Sequence, residues 1–220
     1  LPKFNKDKVE RLILEQISKN DDRGSQIMAG PSEAGGCFYC TGKAMARMLP
    51  GAKIKPSRFG LAAWQGTALH HYIEHTFDIP NAIHERKLDV FEIEGYGTIR
   101  GSTDLYLPDF ACTVDWKRQN KYSYDLTRLD GVSTKYIVQQ MMYGRAWKNL
   151  GEEVEYVGIC SIPGFSNNLD DIRFYWMKYD DEIVEIAKHN LETIWLYVQD
   201  GEWDELPSDE DCYQCNTYGR

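Results

Sequence analysis

Two aspartates and a lysine stand close together near the middle of the chain. Asp104 closes the stretch Gly101-Ser102-Thr103-Asp104, and Asp115 and Lys117 bracket Trp116. In an extended strand, residues two apart share a face, so Asp115 and Lys117 point the same way. Pro108 and Asp109 lie between the aspartates and read as a turn. A four-residue loop over 108–111 sets Asp104 directly opposite Asp115. A two-residue loop over 108–109 sets it opposite Thr113, one diagonal from Asp115. Either register gathers the three side chains on one sheet face. Adjacent carboxylates repel, and a hard cation such as Mg²⁺ or Mn²⁺ relieves that repulsion. A lysine beside them can position a water and offset negative charge on a phosphate. Taken alone, an aspartate two residues before a lysine is more often an ordinary exposed ion pair.

Four of the six cysteines form two pairs of C-x-x-C spacing, Cys37/Cys40 and Cys212/Cys215, near opposite ends of the chain. Each pair is a bidentate knuckle, and four thiolates complete a tetrahedron. The first residues alternate charged and apolar side chains, unlike a signal peptide, so this spacing favours a bound metal over disulfides. Cys112 and Cys160 fall inside expected strands and read as small buried hydrophobes. On an expected helix over 60–77, His70 and Glu74 lie four apart, as do His71 and His75. Histidines on a helix are more often part of a solvated face than ligands. Gln139 and Tyr143 share a face of a helix capped by Ser133; alone they read as helix surface with a buried tyrosine. Lys117 to Lys121, with Arg118 between, forms a basic exit from its strand, fit either to follow a phosphate backbone or to be a solvated loop.

The elements that must carry these residues follow from periodicity. An amphipathic helix is expected over 6–19, with Val9, Leu12, Ile13 and Ile17 on one face. A loop should follow over 20–36, with Gly35-Gly36 letting the chain turn around an ion. A short helix is expected over 41–49, then a basic loop over 50–58 with Lys53, Lys55 and Arg58. Strands are expected over 84–92, 96–107 and 110–117, a helix from Ser133 to Leu150, strands over 153–161 and 171–179, and a last helix from Asp180. That order gives an α/β fold, a mixed central sheet flanked by helices, in a single domain over 1–220. Within it, residues 35–42 and 205–220 together form a cysteine metal-binding subregion. Hydrophobic residues make up 42% of the chain, enough for a core. The net charge of −9 argues against a general nucleic-acid coat protein but leaves room for a local basic channel around an acidic metal site. No run of about 18 apolar residues exists, so no membrane partner is expected and the location expected is cytoplasmic, a host cytoplasm if the chain is phage-encoded.

The order of these motifs resembles the RecB-like branch of the PD-(D/E)XK nuclease superfamily. It is most similar to the CRISPR-associated and phage-encoded exonucleases that carry a cysteine-bound metal cluster. The resemblance spans roughly residues 35 to 215 and implies a restriction-endonuclease-like fold. It implies that His70, Asp104 and Asp115 ligate the catalytic Mg²⁺ or Mn²⁺, joined by the backbone carbonyl of Trp116, and that Lys117 is the catalytic lysine. Gln139 and Tyr143 would contact DNA near the site, with Arg118 and Lys121 along the backbone. Glu85 matches an acidic position that some members use. The implied activity is metal-dependent hydrolysis of DNA from single-stranded 5′ ends, in recombination, repair or phage replication, with recombination or replication proteins as partners. Cys37, Cys40, Cys212 and Cys215 would hold a structural centre. The resemblance suggests a [4Fe–4S] cluster. Its members, however, carry one N-terminal cysteine and three C-terminal ones. The two-plus-two split here is the usual form of a zinc site, and zinc is favoured. The competing reading is a catalytically silent DNA- or protein-binding module stabilised by the four cysteines.

Overall fold

The computed structural model describes residues 11, 28–52, 54 and 60–218. The helix expected over 6–19 falls outside these apart from Arg11, as do Lys53, Lys55 and Arg58. Five strands form one mixed sheet in the spatial order β1-β2-β3-β4-β5. They are β1 Ile83–Ile93, β2 Gly97–Leu107, β3 Cys112–Gln119, β4 Tyr156–Pro163 and β5 Arg173–Lys178. Successive pairs are antiparallel except β3 and β4, which run parallel. A parallel pair needs a crossover, supplied here by two helices. The helices are α1 Pro31–Ala34, α2 Phe38–Met45, α3 Leu61–Thr76, α4 Lys121–Asp130, α5 Thr134–Asn149, α6 Asp181–Gln199 and α7 Tyr213–Tyr218.

Helix α6 forms where the sequence pattern requires it. The Asp180 carboxylate accepts the Glu182 backbone N–H at 2.9 Å, which caps the first turn. Val184, Ala187, Leu191, Ile194 and Val198 then recur at helical spacing and are buried. This stripe, with Met141, Met142 and Trp147 of α5, builds the main core against one face of the sheet, where Ile99, Tyr106 and Val157 lie. On the other face α3 sets Ile73 and Leu69 against Leu105, Val114, Trp116 and Cys160, a second and smaller core. The sheet is therefore covered by helices on both faces. Cys112 and Cys160 are buried within β3 and β4.

The stretch after Lys117 differs from expectation. It is not a loop: β3 runs on to Gln119, whose side chain is buried and donates to Thr127 Oγ1 at 2.8 Å. Asn120 then caps α4, accepting the Ser123 N–H at 2.9 Å. The acidic tail likewise contains a short helix, α7, carrying Cys215. Gly35 has an ordinary negative φ, and its lack of a side chain serves packing. A Cβ there would sit 2.8 Å from Val138 Cβ on α5.

Candidate active site at the fork of the sheet

Strands β2 and β3 pair only at their loop-proximal ends, Leu105 with Val114, Tyr106 with Thr113 and Leu107 with Cys112. This is the register of a four-residue connection over 108–111, the one that sets Asp104 opposite Asp115. The ladder stops there. In place of the next backbone bond, the Trp116 N–H donates to Asp104 Oδ2 at 2.8 Å. Both aspartates are buried at this fork, 5% and 2% exposed. Lys117, two residues beyond Asp115, brings Nζ to 2.6 Å from Asp115 Oδ2. That contact is an ion pair out of hydrogen-bonding alignment, since Asp115 Oδ2 has no aligned donor. The aligned bond from Lys117 goes to Gln139 Oε1 on α5, at 3.0 Å. The ammonium also lies 4.8 Å from the centre of the Tyr136 ring.

His70 reaches the fork from α3. Its Nδ1 is 3.1 Å from Glu85 Oε1 and 3.4 Å from Asp104 Oδ1, and its Nε2 is 3.3 Å from the Trp116 carbonyl oxygen. Glu85 lies within β1 yet has φ +46°, the left-handed region that an L side chain enters only against strain. It sits between the pairs His84–Leu105 and Arg86–Thr103, which places it level with Asp104. Ser102 donates its hydroxyl to Glu85 Oε2 at 3.2 Å.

The electrostatics follow from three carboxylates facing one ammonium in a buried place. Burial, and then the Asp104 charge, push Asp115 upward, while Lys117 pulls it back. Burial works against the charge on Lys117, but Asp115 more than restores it, so its affinity for a proton is raised. Burial also opposes a charge on His70. Hydrogen bonding and charge contact with Asp104 and Glu85 outweigh that and push the imidazole up to about 10. A doubly protonated ring therefore donates from both nitrogens and stands where a cation would be favourable.

The residues present fit a divalent cation. His70, Glu85 and Asp104 each offer a ligand atom within 4.8 Å of the others, and the buried Asp115 Oδ2 beside them lacks an aligned donor. With His70 neutral as a ligand, three carboxylates against Lys117 leave two negative charges for such an ion to neutralise. The donor set is mostly oxygen, as Mg²⁺ requires, with one imidazole that suits Mn²⁺. Asp115 lies outside the tightest trio, and Glu85 lies within it. The other helical histidines go elsewhere. His71, Glu74 and His75 form a separate, exposed group on α3.

Gln139 and Tyr143 are brought to the fork, but from beneath. They are 6% and 5% exposed. Gln139 Nε2 donates to the Tyr143 hydroxyl at 3.0 Å, completing a chain from Tyr143 through Gln139 to Lys117. The Tyr143 ring packs over Gly101, where a Cβ would lie 2.6 Å from Tyr143 Cε1. That explains the glycine that opens the Gly101–Asp104 stretch, and Tyr143 is buried behind it. Arg118 is half-buried, with its guanidinium against Gly164. Lys121 is exposed and pairs with Asp125 at 2.6 Å, an i,i+4 surface contact. Sequence reasoning missed Tyr136 and Ser102. Tyr136 stands three residues before Gln139, hence on the same helix face, and that spacing was the available signal.

The second constellation joins the ends of the described chain. Cys37 Sγ is 3.8 Å from Cys215 Sγ, and Cys40 Sγ is 3.6 Å from Cys212 Sγ and 3.4 Å from Cys215 Sγ. All four sulfurs lie within 4.8 Å of one another. Burial and the neighbouring thiols push the Cys40 thiol up. For Cys212 burial acts upward, but hydrogen bonds centred on Cys215 carry it below its ordinary value.

The fold as a whole is similar to those of exonucleases already solved. One is LHK-Exo, an alkaline exonuclease from Laribacter hongkongensis, at TM-score 0.57 and 14% identity, covering 86% of this chain and 94% of that one. The structure of LHK-Exo in complex with dAMP matches at TM-score 0.54 and 16% identity, over 80% of this chain and 89% of that one. A phage-related exonuclease from Haemophilus somnus 129PT matches at TM-score 0.52 and 14% identity, over 74% and 81%. No protein-family model and no curated protein matches the chain. No helix among the described residues is long and apolar enough to cross a membrane.

Proposed function

We propose that the chain is a metal-dependent DNA exonuclease, a single nuclease domain whose active site is the fork between β2 and β3. The observation that carries this reading is the convergence of Asp104, Asp115, Lys117, His70 and Glu85 there, in a fold shared with exonucleases. The LHK-Exo complex with dAMP supports a deoxynucleotide polymer as substrate. His70, Glu85, Asp104 and Asp115, with the Trp116 carbonyl, would hold Mg²⁺ or Mn²⁺. Such an ion supplies a more acidic water and draws charge from the scissile phosphate oxygens. Lys117 offsets the negative charge that builds on the phosphate in the transition state. Asp115 and Gln139 aim its ammonium, and Tyr143 fixes Gln139. Gln139 and Tyr143 thus act by positioning Lys117, not by touching DNA. Arg118 and Lys121 flank the exit from the fork and guide the phosphate backbone. The Lys121–Asp125 pair is exposed and worth only about 0.3–0.5 kcal/mol, so a phosphate can displace the carboxylate. The preferred substrate is a single strand entered from its 5′ end. The four cysteines bind a structural metal that closes the subregion formed by residues 35–42 and 205–220.

The test is digestion of single- and double-stranded DNA, labelled at either end, with Mg²⁺, Mn²⁺ or EDTA. Release of mononucleotides from 5′ ends, dependent on metal and lost in Asp115→Ala, is the expected result. No hydrolysis under any metal by a folded parent chain would overturn the reading in favour of a silent binding module.

A further inference from the structure

We infer that Cys37, Cys40, Cys212 and Cys215 hold one mononuclear zinc ion, and that the site does not accommodate the four-iron cluster suggested by the motif resemblance. The argument is one of size and stands apart from the nuclease reading. A zinc–thiolate bond of about 2.3 Å in a tetrahedron puts neighbouring sulfurs about 3.8 Å apart. In a cubane cluster each cysteine binds its own iron at a separate corner, which spreads the sulfurs to about 6 Å. The three direct sulfur contacts here are 3.4, 3.6 and 3.8 Å, and no pair exceeds 4.8 Å.

The knuckles are not free to open to the larger spacing. Helix α2, which carries Cys40, is clamped against the segment leading to Cys212. The Tyr39 N–H donates to the Pro207 carbonyl at 3.0 Å, and the Tyr39 ring lies 5.7 Å from that of Trp203. At Gly42 a Cβ would fall 2.3 Å from Leu206 Cδ1, so the helix backbone rests directly on that leucine. Leu206 is itself buried in the main core. Spreading the sulfurs by about 2 Å to admit a cubane would lift α2 off this contact and expose Leu206. A mononuclear ion needs no such movement. Its binding balances simply: four thiols coordinate Zn²⁺, their four protons leave to solvent, and no electron is transferred.

The experiment is metal analysis and visible spectroscopy of the whole chain, purified without oxygen and without added metal, alongside the His70→Ala variant and the paired Cys212→Ser/Cys215→Ser variant. The expected result is a colourless protein with about one zinc per chain, kept in His70→Ala and lost in the cysteine variant. Exchange with Co²⁺ should give the intense red-region bands of tetrahedral cobalt–thiolate. This readout needs no variant and holds even where the cysteine pair fails to fold. Because His70→Ala disables only the fork, zinc there and zinc at the cysteines are distinguished, and the outcome is independent of any nuclease assay. A brown protein with iron and acid-labile sulfide would overturn the inference, as would Cys–Cys disulfides or four freely reactive thiols without metal.

Discussion

Replacing Glu85 by glycine should leave the metal-free protein more stable than replacing it by alanine, the reverse of the usual order in a strand. Glu85 holds φ +46° near the start of β1. A side chain with a Cβ incurs roughly 1–2 kcal/mol in this region. Glycine incurs none of that, but brings about 0.5–1 kcal/mol of extra backbone entropy loss. Both substitutions remove the same carboxylate contacts, to His70 at 3.1 Å and Ser102 at 3.2 Å. Those losses cancel in the comparison, and about 0.75 kcal/mol in favour of glycine remains. For a domain of this size that is a melting-temperature difference of about 1.5–3 °C. The assay is thermal and urea unfolding of both variants in EDTA, with hydrolysis measured in Mn²⁺. Both variants should lose activity, because the carboxylate is gone from the trio around His70. If the alanine variant melts at or above the glycine one, the left-handed strain at Glu85 is not there, and its link to the site fails with it.

Other perturbations test the fork directly. Lys117→Ala should lower hydrolysis by at least about 100-fold, the scale of losing one preorganised charge at a transition state, and Asp115→Ala should abolish it. Circular dichroism of both should match the parent. Gln139→Ala should lower kcat while leaving the KM for DNA near that of the parent, because Gln139 is buried and acts on Lys117 rather than on substrate; a raised KM with unchanged kcat would refute this. His70 supplies a pH signature in the metal-free protein. Its folded value is raised to about 10 from 6.5, so its stabilisation is complete below pH 6.5 and lost as pH rises through about 10. Urea midpoints in EDTA should fall across that window, and His70→Ala should flatten the fall.

Much of the fork was legible because strand parity and turn chemistry are local. Pro108-Asp109 marked the turn and the pleat put Lys117 on the face of Asp115; of the two registers this left open, the structure takes the four-residue one. The helix stripe of α6 was equally local. What escaped depends on partners distant in sequence. Nothing near Glu85 announces a positive φ, which is held by His70 from α3 and Ser102 from β2. The burial of Tyr143 fits the helix pattern, but the partner that makes room for its ring, Gly101 on β2, is not announced nearby. The helix at Lys121–Asp130 was not expected: the run from Lys117 to Lys121 read only as a basic exit from the strand, and Asn120 caps the helix there. Gln119 reads as a polar exit residue and is instead buried against Thr127 and Ser161.

The cysteine centre also sets an order of events during synthesis. Cys40 and Cys212 are 172 positions apart. At roughly 5–20 residues per second, Cys37 and Cys40 wait about 10–35 s on the ribosome before their partners are made. Through that interval the N-terminal thiols are an incomplete site, open to oxidants and to any thiophilic ion. Helix α2 cannot settle on Leu206 until the C-terminal segment emerges, because Leu206 and Pro207 are themselves late residues. The segment carrying Cys212 and Cys215 therefore closes a knuckle made much earlier, and a ribosome that stalls before Cys212 leaves Cys37 and Cys40 without their partners.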